Sequence, residues 1–348
     1  GLVGSEMCIR DSYLFLLQKR EENELSQAFT AYNTRIVAPP HGSMLPMSPV
    51  RKNILMVACA LGLLIPVVII FICENMNTRV RGRKDLESVT VPFIGEIPLF
   101  TRKKKGIFRK KPQEVRAIVV KEGSRDIINE AFRVLRTNLE FMTGKDKASN
   151  VIIVTSFNPG SGKSFLTMNI AVSFAIKGKK VLVIDGDLRH GSASSYIDSP
   201  TKGLSDYLGG RIDNLNEIIV TNPKQKYLDI LPVGTIPPNP TELLFDDRLK
   251  QVIDTVREQY EYVLIDCPPI ELVADTQIIE KLADRTIFVV RAGLLELSML
   301  AELEKIYGEK KYKNMSLILN GTEGSGGRYG YRYGYRYGYH YGCLLYTS

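Results

Sequence analysis

The apolar positions of the chain fall into three patterns. The first is an unbroken run from Ile54 to Cys73, twenty residues without a charge. At 1.5 Å per residue a helix of that length covers roughly 30 Å, the thickness of a bilayer's hydrocarbon core, so the run predicts one transmembrane helix, 54–73. Pro66 within it is tolerated where neighbouring groups can satisfy the freed carbonyl. The second pattern is helical spacing. Residues 13 to 31 place Leu14, Leu17, Leu25, Ala28 and Phe29 on one side. Residues 124 to 141 do the same with Ile127, Ile128, Ala131, Leu135 and Leu139, with Phe132 beside the stripe and Ser124 as the expected N-cap. The third is a series of short, fully apolar runs: Val151 to Val154, VLVID ending at Asp185, YVLID ending at Asp266, ADRTIFVVRAG and NMSLILNG. Such runs, alternating with amphipathic helices, predict an α/β fold whose mostly parallel sheet is covered by helices on both faces. Ligands of such a sheet gather at the carboxyl ends of its strands.

Charge divides the chain further. The formal net charge is +8, but between Arg79 and Lys111 eleven Lys/Arg face three acids, including the block Arg102 to Lys105. Charge concentrated this way beside an apolar span suits anionic membrane lipids and no nucleic acid. Arg51 and Lys52 precede the span, whereas Arg79, Arg81, Arg83, Lys84 and two further clusters follow it, which puts the C-terminal side in the cytoplasm. Cys8, Cys59, Cys73, Cys267 and Cys343 show no CxxC spacing, which argues against a zinc ribbon or a disulfide framework. Gly1–Ser12 and Cys343–Ser348 resemble translated sequencing-adapter read-through, and they are set aside as non-native. The expected organisation is 13–53, an extracytoplasmic remnant with a proline-rich approach; 54–73, the span; 74–123, a basic juxtamembrane linker; 124–323, the nucleotide domain; and 324–342, a tail.

The chemistry begins where Val151 to Val154 feeds Asn158, Pro159, Gly160, Ser161, Gly162, Lys163 and Ser164 into a helix continuing with Phe165. This strand–loop–helix ends as a Walker A phosphate loop, although Phe157 stands where the strict pattern has its first glycine. It predicts a P-loop NTPase in which backbone N–H groups cradle phosphates, Lys163 reaches the outer ones and the Ser164 hydroxyl serves Mg2+. Asp185 and Asp187 follow one strand and Asp266 another, so three acids arrive at strand tips near Lys163. That set points to ATP with Mg2+, with Ser164 at the metal and the acids able to approach a metal or an incoming hydroxyl. Arg189 and Asp275 lie in the same loops, and the segment 233–244, rich in proline, reads as a stiff loop that could wall the site. On the predicted helix 124–141, Glu130, Arg133 and Arg136 recur every third residue, a pattern fit for intersubunit ion pairs.

The tail reads GSGGRYGYRYGYRYGYHYG. Tyr329, Tyr331, Tyr333, Tyr335, Tyr337, Tyr339 and Tyr341 occupy every second position among Gly, Arg and His. Without aliphatic partners and with glycine at that density, it predicts a flexible rope of phenols. Three roles fit it: stacking on RNA, self-association, or accepting phosphate from the nucleotide site upstream.

Residues 13 to 342 resemble the bacterial tyrosine kinases that regulate capsular and exopolysaccharide export, the BY-kinases, in their Wzc-like form fused to a polysaccharide co-polymerase. YLFLLQKREENE, the proline-rich approach, the span and FIGEIP carry the likeness to the end of the co-polymerase. EAFRVLRTNLEF, NPGSGKS, VLVIDGDLR, PPNPTELL and YVLIDCPP carry the likeness to the kinase. The resemblance implies a tyrosine kinase that autophosphorylates its tail in trans, with Lys163 and Ser164 on ATP and Mg2+, and Asp185, Asp187 and Arg189 in a second Walker motif, DxDxR. It also implies that Asp187 helps organise the metal, that Asp266 supports its shell alongside Ser164, and that Glu130, Arg133 and Arg136 build a homo-oligomeric ring. The implied partners are a cognate protein-tyrosine phosphatase, a polysaccharide polymerase and outer-membrane export components. The implied location is the bacterial inner membrane. A P-loop ATPase switch and a non-catalytic scaffold controlling glycan chain length are the competing readings.

Overall fold

The computed structural model describes residues 2–29, 42, 51–100, 117–143, 150–223, 225–270 and 274–322. The chain divides into two units, Gly1–Met76 and Asn77–Ser348. The first contains two helices, α1 (Leu2–Phe29) and α2 (Arg51–Asn75). Helix α1 starts well before Tyr13, so the helical register runs through the residues set aside above, and its exposed pairs Lys19–Glu22 and Arg20–Glu24 lie at the spacings that support an isolated helix. Helix α2 contains the predicted span. Every position from Arg51 to Ile72 is exposed, Leu55, Leu63 and Phe71 among them, and among the described residues this helix is long and apolar enough to cross a membrane. An apolar surface with no protein against it is stable where lipid replaces the protein.

The second unit is built on a sheet. Its elements are β1 (Phe93–Pro98), α3 (Ile127–Thr143), β2 (Val151–Thr155), α4 (Lys163–Ile176), β3 (Val181–Asp185), α5 (Leu204–Leu208), β4 (Val220–Thr221), β5 (Leu228–Leu231), α6 (Pro240–Leu244), α7 (Asp247–Gln259), β6 (Tyr262–Asp266), α8 (Asp275–Glu280), β7 (Arg285–Arg291), α9 (Met299–Gly308) and β8 (Met315–Thr322). The strand order is β1-β8-β7-β2-β6-β3-β5-β4, and only the β4–β5 pair is antiparallel. All five residues of β2 and of β3 are buried, as strands covered on both faces must be. Their side chains alternate between two apolar layers. Val151, Ile153, Leu182 and Ile184 join α7 and α9, while Ile152, Val154, Val181 and Val183 join α3 and α4.

Two expectations are corrected. Helix α3 takes its cap from Asp126, whose Oδ1 accepts from the Asn129 N–H at 2.8 Å, while the Ser124 hydroxyl hydrogen-bonds to the other Asp126 oxygen. Ile127 is 76% exposed, so the buried stripe is Ile128, Phe132, Leu135 and Leu139. The second correction concerns the region 74–123, read above as a linker. Val80, Leu86, Val91, Ile94 and Ile97 are all buried, which a solvated linker would not allow. The Val80 N–H donates to the Leu295 carbonyl at 2.9 Å, and the Val80 carbonyl accepts from Gly293 at 2.7 Å. FIGEIP forms β1, the edge of the sheet, parallel to β8 and packed under α3, where Gly95 lets Leu135 approach. The Asn138 carboxamide adds a hydrogen bond to the Ile94 carbonyl at 2.7 Å.

Further along, Asn169 on α4 accepts from the N–H groups of Val119 and Val120, and Asn129 on α3 accepts from that of Lys121. Two buried asparagines thus satisfy a backbone segment that has no strand partner among the described residues. The block Arg102–Lys105 and the seven tail tyrosines lie outside the described residues.

If β1 belongs to the core, Ile97→Ala in a chain begun at Asn77 loses about 2–5 kcal/mol of unfolding free energy in urea, the usual cost of emptying a buried isoleucine site. A linker residue would leave the midpoint where it was.

Candidate active site

The phosphate loop is shaped by glycines and held from two sides. Gly160 and Gly162 adopt φ of 74° and 87°, a region open to glycine and strained for other residues. A Cβ on Gly162 would overlap the Asn320 carboxamide, which is buried on β8 and donates from Nδ2 to the Ser161 carbonyl at 2.8 Å. On the near side the hydroxyls of Ser156 and Ser161 both donate to the Asn158 carbonyl at 2.8 Å. Pro159 and Gly160 form the exposed crest, and α4 begins at Lys163 with its first N–H groups unpaired within the helix. Such an end draws anions. Phe157 is a buried plug, edge-on to Phe288 at 4.9 Å, which explains why a large residue stands at the pattern's glycine position. The Phe165 ring packs edge-on to Phe132 at 6.0 Å, so its part in the loop is through backbone.

The acids arrive as the strand pattern predicts. Asp185 ends β3 and Asp266 ends β6, and the two are register partners on adjacent parallel strands. Relative exposures are 0% for Asp185, 1% for Asp266 and 7% for Asp187, so three carboxylates share a nearly dry place. One oxygen of Asp185, Oδ2, accepts from the Ser194 N–H at 2.6 Å and the Ser194 hydroxyl at 2.7 Å. That hydroxyl is fixed in turn by the Val233 N–H at 2.9 Å. Asp266 receives the Ser164 hydroxyl and feels the Lys163 charge. Asp187 Oδ1 accepts from the N–H groups of Arg189 and His190, both at 3.2 Å. The Oδ1 atoms of Asp185 and Asp266 have no hydrogen-bond partner among the described residues.

Electrostatics follows from this burial. Desolvation, then the Asp266 charge, pushes Asp185 up to about 8 against the pull of the Ser194 hydrogen bonds. Desolvation also raises Asp266, and the Ser164 hydrogen bond and Lys163 limit the rise. Two partnerless buried carboxylate oxygens at about 1–3 kcal/mol or more each are a large liability in a domain stable by only about 5–15 kcal/mol. A cation at Asp266 and a hydrogen-bond donor at Asp185 would remove it. Among the described residues no three His, Cys, Asp or Glu side chains form a cage able to hold a metal alone. Mg2+ does not require one, since it binds through one or two carboxylates and completes its shell with water and phosphate oxygens. The residues therefore fit Mg2+ carried in with a nucleotide, with Ser164, Asp187 and Asp266 at hand.

Two groups assigned above sit differently from their expected roles. Arg189, expected at the cofactor, donates from Nε to Asp275 Oδ2 at 3.1 Å and from Nη2 to the Thr241 hydroxyl at 3.0 Å. Thr241 closes the triangle by donating to Asp275 Oδ1 at 2.7 Å. Arg189 thus fastens the loop after Asp187 to α6 and α8. On α3, Arg133 pairs with Glu130 in its own helix at 2.6 Å, half-exposed on both sides, while Arg136 donates to the Ser173 carbonyl of α4 at 2.8 Å. Glu130 and Arg133 are at the surface; Arg136 is engaged within the chain. Asn320, Ser194 and Thr241 escaped the sequence reading because their importance comes from contacts 159, 9 and 34 residues away.

The raised proton affinity of Asp185 sets a pH dependence. A group with a higher pKa in the folded state stabilises at low pH and loses that contribution as pH rises through the folded value. The nucleotide-free domain therefore loses stability from about pH 4 to about pH 8. Asp185→Asn raises the melting temperature most at pH 8, and the gain shrinks toward pH 4; a pH-independent difference in thermal scans would contradict the burial argument.

Comparison with known proteins agrees with this geometry. A family model described as an AAA domain matches residues 149–317. The tyrosine-protein kinase etk of Escherichia coli K12 is 31% identical over 297 residues, covering 82% of this chain and 40% of its own length. The chain thus spans less than half the length of the full-length relatives it matches. Among solved structures, the kinase domain of Escherichia coli tyrosine kinase ETK superposes with a TM-score of 0.62 at 29% identity, covering 72% of this chain and 97% of that one. The BceF tyrosine kinase domain gives 0.59 at 31% identity, covering 70% and 99%. The described sheet, its phosphate loop and its three strand-tip acids are a P-loop nucleotide-binding fold, and the chain belongs to the Wzc-like bacterial tyrosine kinases.

Proposed function

We propose that the chain transfers the terminal phosphoryl group of ATP to tyrosines of the tail, Tyr329 through Tyr341, of a neighbouring copy. The observation that carries this reading is a P-loop with buried strand-tip acids, Asp185 and Asp266, in one chain with seven closely spaced phenols. The backbone N–H groups from Asn158 to Phe165 hold the phosphates, and Lys163 neutralises charge that builds on the transferring oxygens. Mg2+, held by Ser164, Asp187 and Asp266, supplies when bound the positive charge that lets these carboxylates lie close to a triphosphate. Asp185 orients the incoming phenol: Ser194 fixes its Oδ2 and leaves Oδ1 for the substrate. The phenolic oxygen bonds to the outermost phosphorus as the bond to ADP breaks, and its proton passes to Asp185. A phenol of pKa about 10 is a weak nucleophile at pH 7, so a carboxylate within reach has to orient it and accept its proton as transfer proceeds.

In this reading α2 crosses the bacterial inner membrane with Asn77 onward in the cytoplasm, as the excess of Lys/Arg after the span supports. The N-terminal side is then periplasmic and continuous with a polysaccharide co-polymerase. Glu130 and Arg133, both half-exposed, serve contacts between kinase domains in a ring. Tail phosphorylation regulates polymerisation and export of a capsular polysaccharide or exopolysaccharide through a polymerase and outer-membrane components, and a cognate phosphatase reverses it.

The purified chain incubated with labelled ATP and Mg2+ should carry phosphate on the tail, located by phosphosite mapping. Lys163→Met should lower labelling at least a hundredfold, and Arg133→Glu should lower both labelling and the assembly mass measured by light scattering. ATP hydrolysis without phosphotyrosine would instead favour a P-loop ATPase switch with water as acceptor.

A further inference from the structure

The proline-rich segment between β5 and α7 is not explained by nucleotide chemistry. Its two ends are tied to the connection after β3 that follows Asp185 and carries Asp187. The Val233 N–H donates to the Ser194 hydroxyl that holds Asp185, and Thr241 accepts from Arg189, two residues after Asp187. Between and just beyond these anchors the surface is unusual. Ile236 is 59% exposed and Phe245 65% exposed, with Pro238 also exposed. Single exposed apolar residues are ordinary. Here they lie in a segment stiffened by Pro237, Pro238 and Pro240 and fastened beside buried acids.

The charge pattern points to the occupant. From Leu231 to Asp247 there are three acids, Glu242, Asp246 and Asp247, and no Lys or Arg. Nearby cations are engaged, Arg189 with Asp275 and Arg248 with Asp213. The tail from Gly324 to Gly342 has the opposite character, with Arg328, Arg332 and Arg336 among its tyrosines and no acid. Arginines four residues apart on an extended chain recur every roughly 13 Å, with phenols between them. Exposed apolar residues and carboxylates within twelve residues of one anchored segment suit both groups, since a guanidinium pairs with a carboxylate while rings cover apolar atoms.

We infer that the wall formed by Ile236, Pro238 and Phe245 with Glu242 and Asp247 is the docking surface for the Arg/Tyr tail of a second copy of this chain. This rests on the kinase reading and names how its acceptor is recognised. It also gives the reaction a built-in end. Each phosphate adds about −1.5 to −2 charges to the tail. The acidic wall that drew the cationic tail then repels the product.

The test uses full chains. A Lys163→Met chain serves as acceptor, and a chain whose seven tail tyrosines are replaced by phenylalanine serves as donor. With Ile236→Ser and Phe245→Ser in the donor, or Glu242→Gln and Asp247→Asn, the KM for the acceptor chain should rise at least fivefold. The kcat and the KM for ATP should stay within twofold, which also reports that the donor is folded. Glutamate at the three tail arginines of the acceptor should raise KM similarly against the wild-type wall, and Glu242→Arg with Asp247→Arg in the donor should recover at least half of the loss. An acceptor KM unchanged by both wall variants, or indifferent to the sign of the tail's charge, overturns the proposal. If the unaltered donor labels no acceptor, the kinase reading fails. Docking is then judged by fluorescence anisotropy of a labelled peptide of residues 324–342. Wall-dependent binding, at least tenfold weaker for the tyrosine-phosphorylated peptide, upholds it, and binding unaffected by the wall variants refutes it.

Discussion

Two carboxylates buried side by side are the constraint from which the rest of the second unit follows. Asp185 and Asp266 sit opposite each other on adjacent strands, and Asp187 is near enough for its charge to raise both. Water is largely excluded, so repulsion is weakly screened and an unpaired oxygen is costly. The protein relieves one oxygen of Asp185 through Ser194, and moderates Asp266 with Ser164 and Lys163. Among the described residues it leaves the Oδ1 of each without a partner. A fold keeps such a cluster only if its surroundings are rigid enough to prevent collapse and if something of opposite charge visits.

The rigidity has identifiable sources. Strands β2, β3 and β6 are buried along both faces, so the strand tips cannot retreat without breaking two apolar layers. The phosphate loop is pinned by Asn320 from β8, and the loop after Asp187 by the Arg189–Asp275–Thr241 triangle. The folded unit starts at Asn77, directly after α2 ends at Asn75, so in sequence almost no spacer separates the apolar helix from the nucleotide fold.

Much of this was legible in the residues. The apolar runs ending in Asp185 and Asp266 specify strands with acids at their tips, because a fully buried parallel strand has few other compositions. The Gly160–Ser164 ending specifies the loop, because its conformation demands glycine. What escaped is tertiary. FIGEIP has the composition of a strand, but nothing local says that β8 will be its neighbour, so the boundary fell at Ser124 instead of Asn77. Ile127 looked like core on spacing alone, yet it is 76% exposed while Ile128 beside it is buried. Arg189 carries a motif's expectation of phosphate, yet its guanidinium is held by Asp275, 86 residues away. Charged side chains choose among partners that only the folded chain brings together.

If the buried Oδ1 atoms of Asp185 and Asp266 cost stability in the empty protein, magnesium nucleotide should restore it on binding. Asp266→Asn separates those two effects, and thermal unfolding of the chain with no ligand, with ADP plus EDTA and with ADP plus Mg2+ reads both. The account predicts that the substitution raises the melting temperature of the empty protein and abolishes the extra stabilisation that Mg2+ gives the wild type over ADP with EDTA. A wild type stabilised equally by ADP with and without Mg2+, or a variant that is less stable when empty yet keeps the full Mg2+ increment, would contradict it.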